Sequence, residues 1–286
     1  MRKSIMKLNL LIISVAVLFL VSCEESSLNA DYQKEVVVNG YLEEGRSIDT
    51  IKVQWTGQLD KEYLVSNQAI VGALVIVKSS DGTFADTLVY DPINPGRYYS
   101  TDSNKKIKAN QTYELYIRTP APDIRIVTGI TTVPDTFSMA ASTLHGGDTV
   151  QYNTLASVNS FTWTSSNNQA TYLPTVTSLD INAAMIPKFF IRDTLNKNFR
   201  RPEKIGYRIG LPKEQQNTDL PWIFLNYFGN TRFDVYAVDF NYSDFLNQIV
   251  TQGGELKETR YNLKGGIGVF GSQTKAKGGF TIYLKP

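Results

Sequence analysis

The sequence predicts a mainly β fold: an amino-terminal immunoglobulin-like or transthyretin-like sandwich, then a second β-rich domain with one short helix. Three observations predict it. Apolar and polar residues alternate with period two in successive short runs, as strands with one buried and one exposed face require. Aromatic residues make up 12% of the chain, and flat side chains of this kind pack well on pleated, half-buried surfaces. Turn signals built on Gly, Pro, Asn and Asp separate the runs at the spacing of a sandwich.

Ahead of the first strand, Arg2, Lys3 and Lys7 form a basic segment followed by an apolar run from Leu8 to Val21. This is the pattern of a secretory signal. The run has 14 positions, including the polar Asn9 and Ser14, whereas a membrane-spanning helix needs about 20 predominantly apolar residues. It closes on Leu20-Val21-Ser22-Cys23, which is similar to the bacterial lipobox, whose cysteine is acylated and becomes the first mature residue. Cys23 is also the one cysteine of the chain, so position and uniqueness favour lipid over a buried thiol. Acyl chains anchor stably because each buried methylene contributes about 0.8 kcal/mol. No thiol then remains for a disulfide, and the fold must stand on its core.

Residues 1–22 are thus expected to be a lipoprotein signal peptide and 23–34 an acylated, flexible tether. Glu24 and Glu25 resemble the acidic export tags of surface lipoproteins, and they read equally as part of a solvated linker. Glu24 to Lys34 carries no hydrophobic pattern, and these 11 residues reach roughly 35 Å when extended.

The sandwich is expected over 35–135. Val36 to Leu42 reads as its first strand, and Ile51, Val53 and Trp55 alternate with polar residues in the second. Val71 to Lys78 is a nearly unbroken apolar strand that turns at Ser80-Asp81-Gly82 into a return strand, Thr83 to Tyr90. Pro92 and Pro95-Gly96 mark the next bend, and Tyr113, Leu115 and Ile117 alternate in a later strand. A run from Ile124 ends at Val133-Pro134-Asp135, where the domain boundary is placed.

Over 136–286, strands are expected at Phe161 to Thr164, Lys204 to Leu211, Trp222 to Phe228 and Arg232 to Phe240. One helix follows, with Ser243 as its N-cap, Phe245, Leu246, Ile249 and Val250 as its apolar stripe and Gly253 at its end. Lys197, Arg200 and Arg201 cluster in a polar loop, where a solvated surface is the simpler reading than an anion site.

Charge excludes one class of partner. Removing the three basic residues of the signal from 29 Lys+Arg leaves 26 against 27 Asp+Glu, so no strong net field recruits nucleic acid or anionic lipid. Gly266-Ile267-Gly268-Val269-Phe270-Gly271 satisfies the dinucleotide string G-x-G-x-x-G, yet neither a helical stripe nor a ribose-binding acid follows it. Gly265, Gly266, Gly268 and Gly271 are instead expected to form a structural glycine loop that packs Val269 and Phe270 against the sheet. Asp239, Asn241 and Ser243 imitate the opening of a calcium loop. The imitation fails at Asp244 and Val250, where glycine and glutamate belong.

His145 is the single histidine, and with Cys23 acylated no zinc site of nitrogen and sulfur ligands can be assembled. No G-x-S-x-G elbow presents a nucleophile, and no spacing singles out a carboxylate pair for glycoside hydrolysis. Trp55, Trp163 and Trp222 read as core packing before they read as a glycan platform. No catalytic residue, cofactor or metal is expected, and the chain is not expected to be an enzyme.

The ordered motifs carry a resemblance. They are the lipobox with Glu24-Glu25, Val36-Val37-Val38-Asn39-Gly40-Tyr41, Val71-Gly72-Ala73-Leu74-Val75-Ile76-Val77, Asp81-Gly82, Pro95-Gly96-Arg97-Tyr98-Tyr99, Thr112 to Ile117 and Gly265 to Gly271. In this order they are similar to the domain of unknown function 4249 family of Bacteroidota lipoproteins; the stretch from Ala140 to Lys188 matches nothing in it. The family brings no catalytic residue. Its members are typically encoded beside TonB-dependent receptors, which implies an outer-membrane, surface-exposed accessory that captures ligand for such a barrel. The alternative is a structural or adhesive surface β module that binds proteins or glycans and has no transport role. Whether the body faces the exterior or the periplasm stays open.

Overall fold

The computed structural model describes residues 32–58, 61–152, 159–180, 183–186, 205–208, 210–251 and 262–286. The chain forms two compact units, Met1–Lys34 and Glu35–Pro286. All the elements below belong to the second.

The first half runs β1 (Val36–Glu43), β2 (Ile51–Trp55), a one-turn helix α1 (Val65–Gln68), β3 (Leu74–Ser79), β4 (Ala85–Tyr90), β5 (Arg97–Tyr99), β6 (Thr112–Arg118) and β7 (Ile126–Thr132). The second half adds β8 (Met139–Ser142), β9 (Thr149–Gln151), β10 (Asn159–Trp163), β11 (Thr171–Ser178), β12 (Ile205–Arg208), β13 (Leu211–Pro212) and β14 (Asn217–Leu220). Then come β15 (Gly229–Val238), helix α2 (Phe240–Thr251), β16 (Leu263–Lys264), β17 (Ile267–Lys275) and β18 (Phe280–Lys285). The fold is mainly β, as the alternation required.

Among the described residues one continuous sheet runs β12-β11-β15-β17-β1-β2-β5-β4-β3-β6-β7-β16, and β14-β10-β8 form a second. Burial alternates residue by residue along β1, β3 and β6. The inward set, Val36, Val38, Leu42, Val53, Val75, Val77, Leu115 and Ile117, makes the first core with two residues from far along the chain, Leu263 and Phe270. A second core gathers Phe137, Phe161, Trp163, Tyr172, Trp222, Phe233 and Ile282.

β1 pairs in parallel with β17, Val37 opposite Ile267 and Glu43 opposite Gln273, while β2 takes its other edge antiparallel. A parallel pair needs a long crossover, and here that crossover is nearly the whole molecule.

Several boundaries differ from the sequence reading. Val71 and Ala73 stand outside β3 because Gly72 turns the backbone at φ 75°, and the Ala73 N–H donates to the buried Tyr98 hydroxyl at 2.9 Å instead of to a strand. That hydroxyl donates in turn to the Ile70 carbonyl at 2.7 Å. Trp222 to Phe228 is not a strand. Trp222–Phe224 is a 3-10 turn, and its three-residue period puts Trp222 and Leu225 into the second core together. Ser243 is not the cap of α2 either. It lies inside the first turn, and Asp239 caps the helix, its Oδ1 accepting the Tyr242 N–H at 3.0 Å and its carbonyl the Ser243 N–H. Gly253 lies outside the described residues.

Candidate functional site

Two polar features stand out: a buried node that joins the two halves and an exposed groove beside it. The node is centred on Asp239, 3% exposed at the end of β15. Its Oδ2 accepts the Thr131 hydroxyl at 2.6 Å, and its Oδ1 accepts the N–H groups of Tyr242 and Ser272. Ser272 Oγ in turn donates to the Thr132 carbonyl at 3.1 Å. Strands β7 and β17 and the start of α2 thus meet on one carboxylate. Burial pushes the Asp239 carboxyl above its ordinary range, against the opposing pull of these hydrogen bonds. All its donors come from the protein's own elements, so the node holds the fold together.

The glycines explain how α2 reaches this position. A Cβ at Gly271 would stand 2.9 Å from Tyr242 Cβ and 3.1 Å from Asp239 Oδ1, so only glycine lets the helix sit on β17. Gly268 has φ 110°, and a Cβ there would meet the Val38 carbonyl of the paired strand. A Cβ at Gly265 would meet the Ile126 carbonyl, and one at Gly266 the Val36 carbonyl, where β7 and β1 begin. Gly268 and Gly271 belong to a strand and not to a loop. No helix follows that strand; it leads to β18, so the dinucleotide geometry is not built here.

The groove lies on the outer face of β1, β2 and β17, with a volume of ≈ 410 Å³, and is lined by Asn39, Tyr41, Glu43, Arg46, Lys52 and Gln273 among others. Residues 39, 41 and 43 share this face because of the strand period, and Gln273 joins them through the register Glu43↔Gln273. Glu43 is held between Gln273 Nε2 at 3.0 Å and Arg46 Nη1 at 3.4 Å. The Tyr41 ring packs on Tyr242 of α2, centroids 4.2 Å apart. On one flank Arg97 bonds Asp49 and Asp91, each at 2.8 Å, and the Asp91 carboxylate raises the Arg97 pKa. Acidic, basic and amide side chains beside one aromatic wall suit a neutral or zwitterionic polar ligand.

Other sequence candidates are dispersed. His145 is exposed, its Nδ1 3.8 Å from Asp148, and no cluster of three potential metal ligands exists among the described residues. Asp239, Asn241 and Ser243 turn to separate partners: Asn241 Nδ2 donates to the Ile130 carbonyl at 2.8 Å, and Ser243 shares a hydrogen with Thr171. Trp163 and Trp222 are buried in the second core, and Trp55 packs against the first. Cys23, Glu24, Glu25, Lys197, Arg200 and Arg201 lie outside the described residues. Among the described residues no helix is long and apolar enough to cross a membrane. The groove itself was half legible: the outward face of β1 follows from alternation, whereas the arrival of Gln273 depends on a parallel pairing with no local signal.

A family model for a domain of unknown function, DUF4249, matches residues 24–278. The chain belongs to this family. DUF4249 carries no assigned activity in its description, and no curated protein matches the chain. Among solved structures, the chicken CNTN1 FN1-FN3 domains align at 15% identity and TM-score 0.26, over 72% of this chain and 61% of that one. The chain therefore spans less than two thirds of that structure. A two-domain fibronectin type-III segment of chicken tenascin aligns at 10% identity and TM-score 0.20, over 72% of this chain and 90% of that one. DIP-gamma IG1+IG2 aligns at 10% identity and TM-score 0.21, over 90% of this chain and 99% of that one. No function is transferred from these structures to the DUF4249 chain.

Proposed function

We propose that this DUF4249 protein is an outer-membrane lipoprotein, anchored through Cys23 and facing the cell exterior, that assists a TonB-dependent transporter by capturing or holding its ligand. The observation that carries the proposal is the single cysteine of the chain, one residue (Ser22) beyond a 14-position apolar run that follows a basic segment. The 11 residues from Glu24 to Lys34 give the body reach, and confinement to a membrane makes encounter with a neighbour nearly intramolecular, at about millimolar effective concentration. The polar groove on β1, β2 and β17 is where a ligand would be held. The transporter enters through the family resemblance and not through geometry.

The test is crosslinking in intact cells, purification through this protein, and identification of what comes with it. An outer-membrane barrel enriched over background is the expected result, and Cys23→Ser should remove the protein from the salt-washed outer-membrane fraction. Recovery of no barrel, or an unchanged membrane fraction for Cys23→Ser, overturns the reading.

A further inference from the structure

The first core has two poles, and they differ in kind. β1, β7 and β17 begin at one pole and β2, β4 and β6 end there, as the pairings Val36↔Trp55, Val37↔Ile267, Val75↔Leu88 and Arg118↔Ile126 show. The connections 91–96 and 119–125 and the described residues 56–58 and 61–73 lie at this pole, and the chain enters the body there at Glu35, whose N–H donates to Thr56 Oγ1 at 3.0 Å. The other pole holds the connections 44–50, 80–84 and 100–111 and continues into the second half through β17.

Fifteen large hydrophobic side chains are exposed among the described residues. Nine of them lie on the entry pole or the strand ends that form it, among them Leu64 at 44%, Val71 at 60%, Ile93 at 84% and Ile124 at 49% exposed. The connections of the opposite pole carry none. Hydrogen bonds tie down the loops that present these tips. Asp91 accepts the N–H of Ile93 at 2.9 Å and the Nη1 of Arg97 at 2.8 Å, Thr119 Oγ1 ties the 119–125 loop to the Asp123 carbonyl at 2.6 Å, and Tyr98 pins Ile70 and Ala73. The polar network thus keeps apolar tips pointed at solvent, against the ordinary tendency to bury them.

We propose that this pole is a lipid-contact surface, by which the body seats on the bilayer that carries its anchor. The proposal deepens the lipoprotein reading and rests on it for the membrane being near. A bilayer fits the tips better than a protein does: they come from three separate loops, Tyr63, Leu64, Val65 and Val71 from one and Ile93 and Ile124 from the other two, with the exposed Lys61, Arg118 and Arg125 at their flanks. Apolar loop tips that include a tyrosine and are flanked by cations suit the headgroup boundary, while Glu62 and Asp123 keep the attraction from being purely electrostatic. The chain leading back to Cys23 leaves from this same pole.

The experiment uses the full chain with Cys23→Ser, so that acylation contributes nothing. Single labelling sites are introduced as Ile93→Cys or Ile124→Cys, and as Lys106→Cys on the opposite pole. Each carries an environment-sensitive fluorophore and is mixed with phosphatidylethanolamine and phosphatidylglycerol vesicles containing brominated lipid. Quenching and a blue shift at 93 and 124, but not at 106, are expected. The double variant Ile93→Asp/Ile124→Asp in the acylated protein should weaken partitioning of its body onto vesicles about tenfold. Absence of quenching at both pole sites overturns the proposal, whether or not the chain sediments with vesicles. So does protection of the two labels from aqueous iodide in native envelope membranes alone, which would assign the pole to a protein. Mass spectrometry of Cys23 acylation and recovery of a barrel report separately on the lipoprotein reading.

Discussion

Thr131 donates its hydroxyl hydrogen to Asp239 Oδ2 at 2.6 Å, tying β7 to the start of α2 across 108 residues of sequence. Removing the carboxylate by Asp239→Ala leaves the Thr131 hydroxyl and the Tyr242 and Ser272 N–H groups without it. The expected loss is about 3 kcal/mol or more, read from chemical denaturation at neutral pH.

The same carboxylate gives a pH dependence of known sign. Burial raises its folded pKa above the unfolded value of about 3.9. The part of the stability that is linked to this raised pKa is therefore fully present below about pH 3.9 and is lost as pH rises through the higher folded value, while the hydrogen bonds to the ionised carboxylate remain. Wild type minus Asp239→Asn stability should fall with rising pH in that window. A pH-independent difference would mean that the carboxyl is not perturbed.

Asp81 and Asp91 behave in the opposite way. Hydrogen bonds from Ser79 and Thr83 lower Asp81 to about 2, and those from Asn94 and Ile93 lower Asp91 to about 2. Each contributes stability above the unfolded pKa of about 3.9 that is lost as pH falls through about 2. Carboxyl carbon NMR should show both titrating near 2, below the ordinary aspartate value of about 3.9, and Asp91→Asn should disturb the 91–96 loop chiefly above pH 4.

Gly268→Val should lower stability by about 3 kcal/mol or more, since a β-branched residue at φ 110° is strained and its Cβ meets the Val38 carbonyl. Nicotinamide and adenine nucleotides should leave the wild-type melting curve unchanged. A saturable rise in melting temperature would restore a cofactor reading to the Gly266 to Gly271 string.

Tyr98→Phe keeps the ring in the first core but leaves the Ala73 N–H and the Ile70 carbonyl without their partner. A loss of about 1–3 kcal/mol is expected. Hydrogen exchange should accelerate at Ala73 before it does in β3, because this hydroxyl holds the connection and not the sheet.

Much of the fold was legible because its signals are local. Val36, Val38 and Leu42 face inward and Asn39 and Glu43 outward by simple alternation, and Ser80-Asp81-Gly82 turned β3 into β4 where Gly82 takes φ 74°. What failed to show was contact at distance. Asp239 looked like the end of a strand, yet it caps α2 because Thr131 and Ser272 fold back onto it. Trp222 and Leu225 mimic a strand until burial on one side selects a three-residue period. The entry pole escaped notice for the same reason, since Val71, Ile93 and Ile124 become neighbours of one surface only after the sandwich closes.

The pairing of β1 with β17 also has a consequence in time. Glu43 and Gln273 meet across 230 residues, and Phe270 fills the core that Val38 and Leu42 begin. A chain that appears amino-terminus first therefore cannot finish its first core until almost everything else has been made. Such long loops close slowly, so the early strands must wait, unpaired along one edge and exposed to chaperones. For a polypeptide that, as proposed above, passes a membrane before it folds, that delay is an advantage: the last segment to arrive is the one that locks the first.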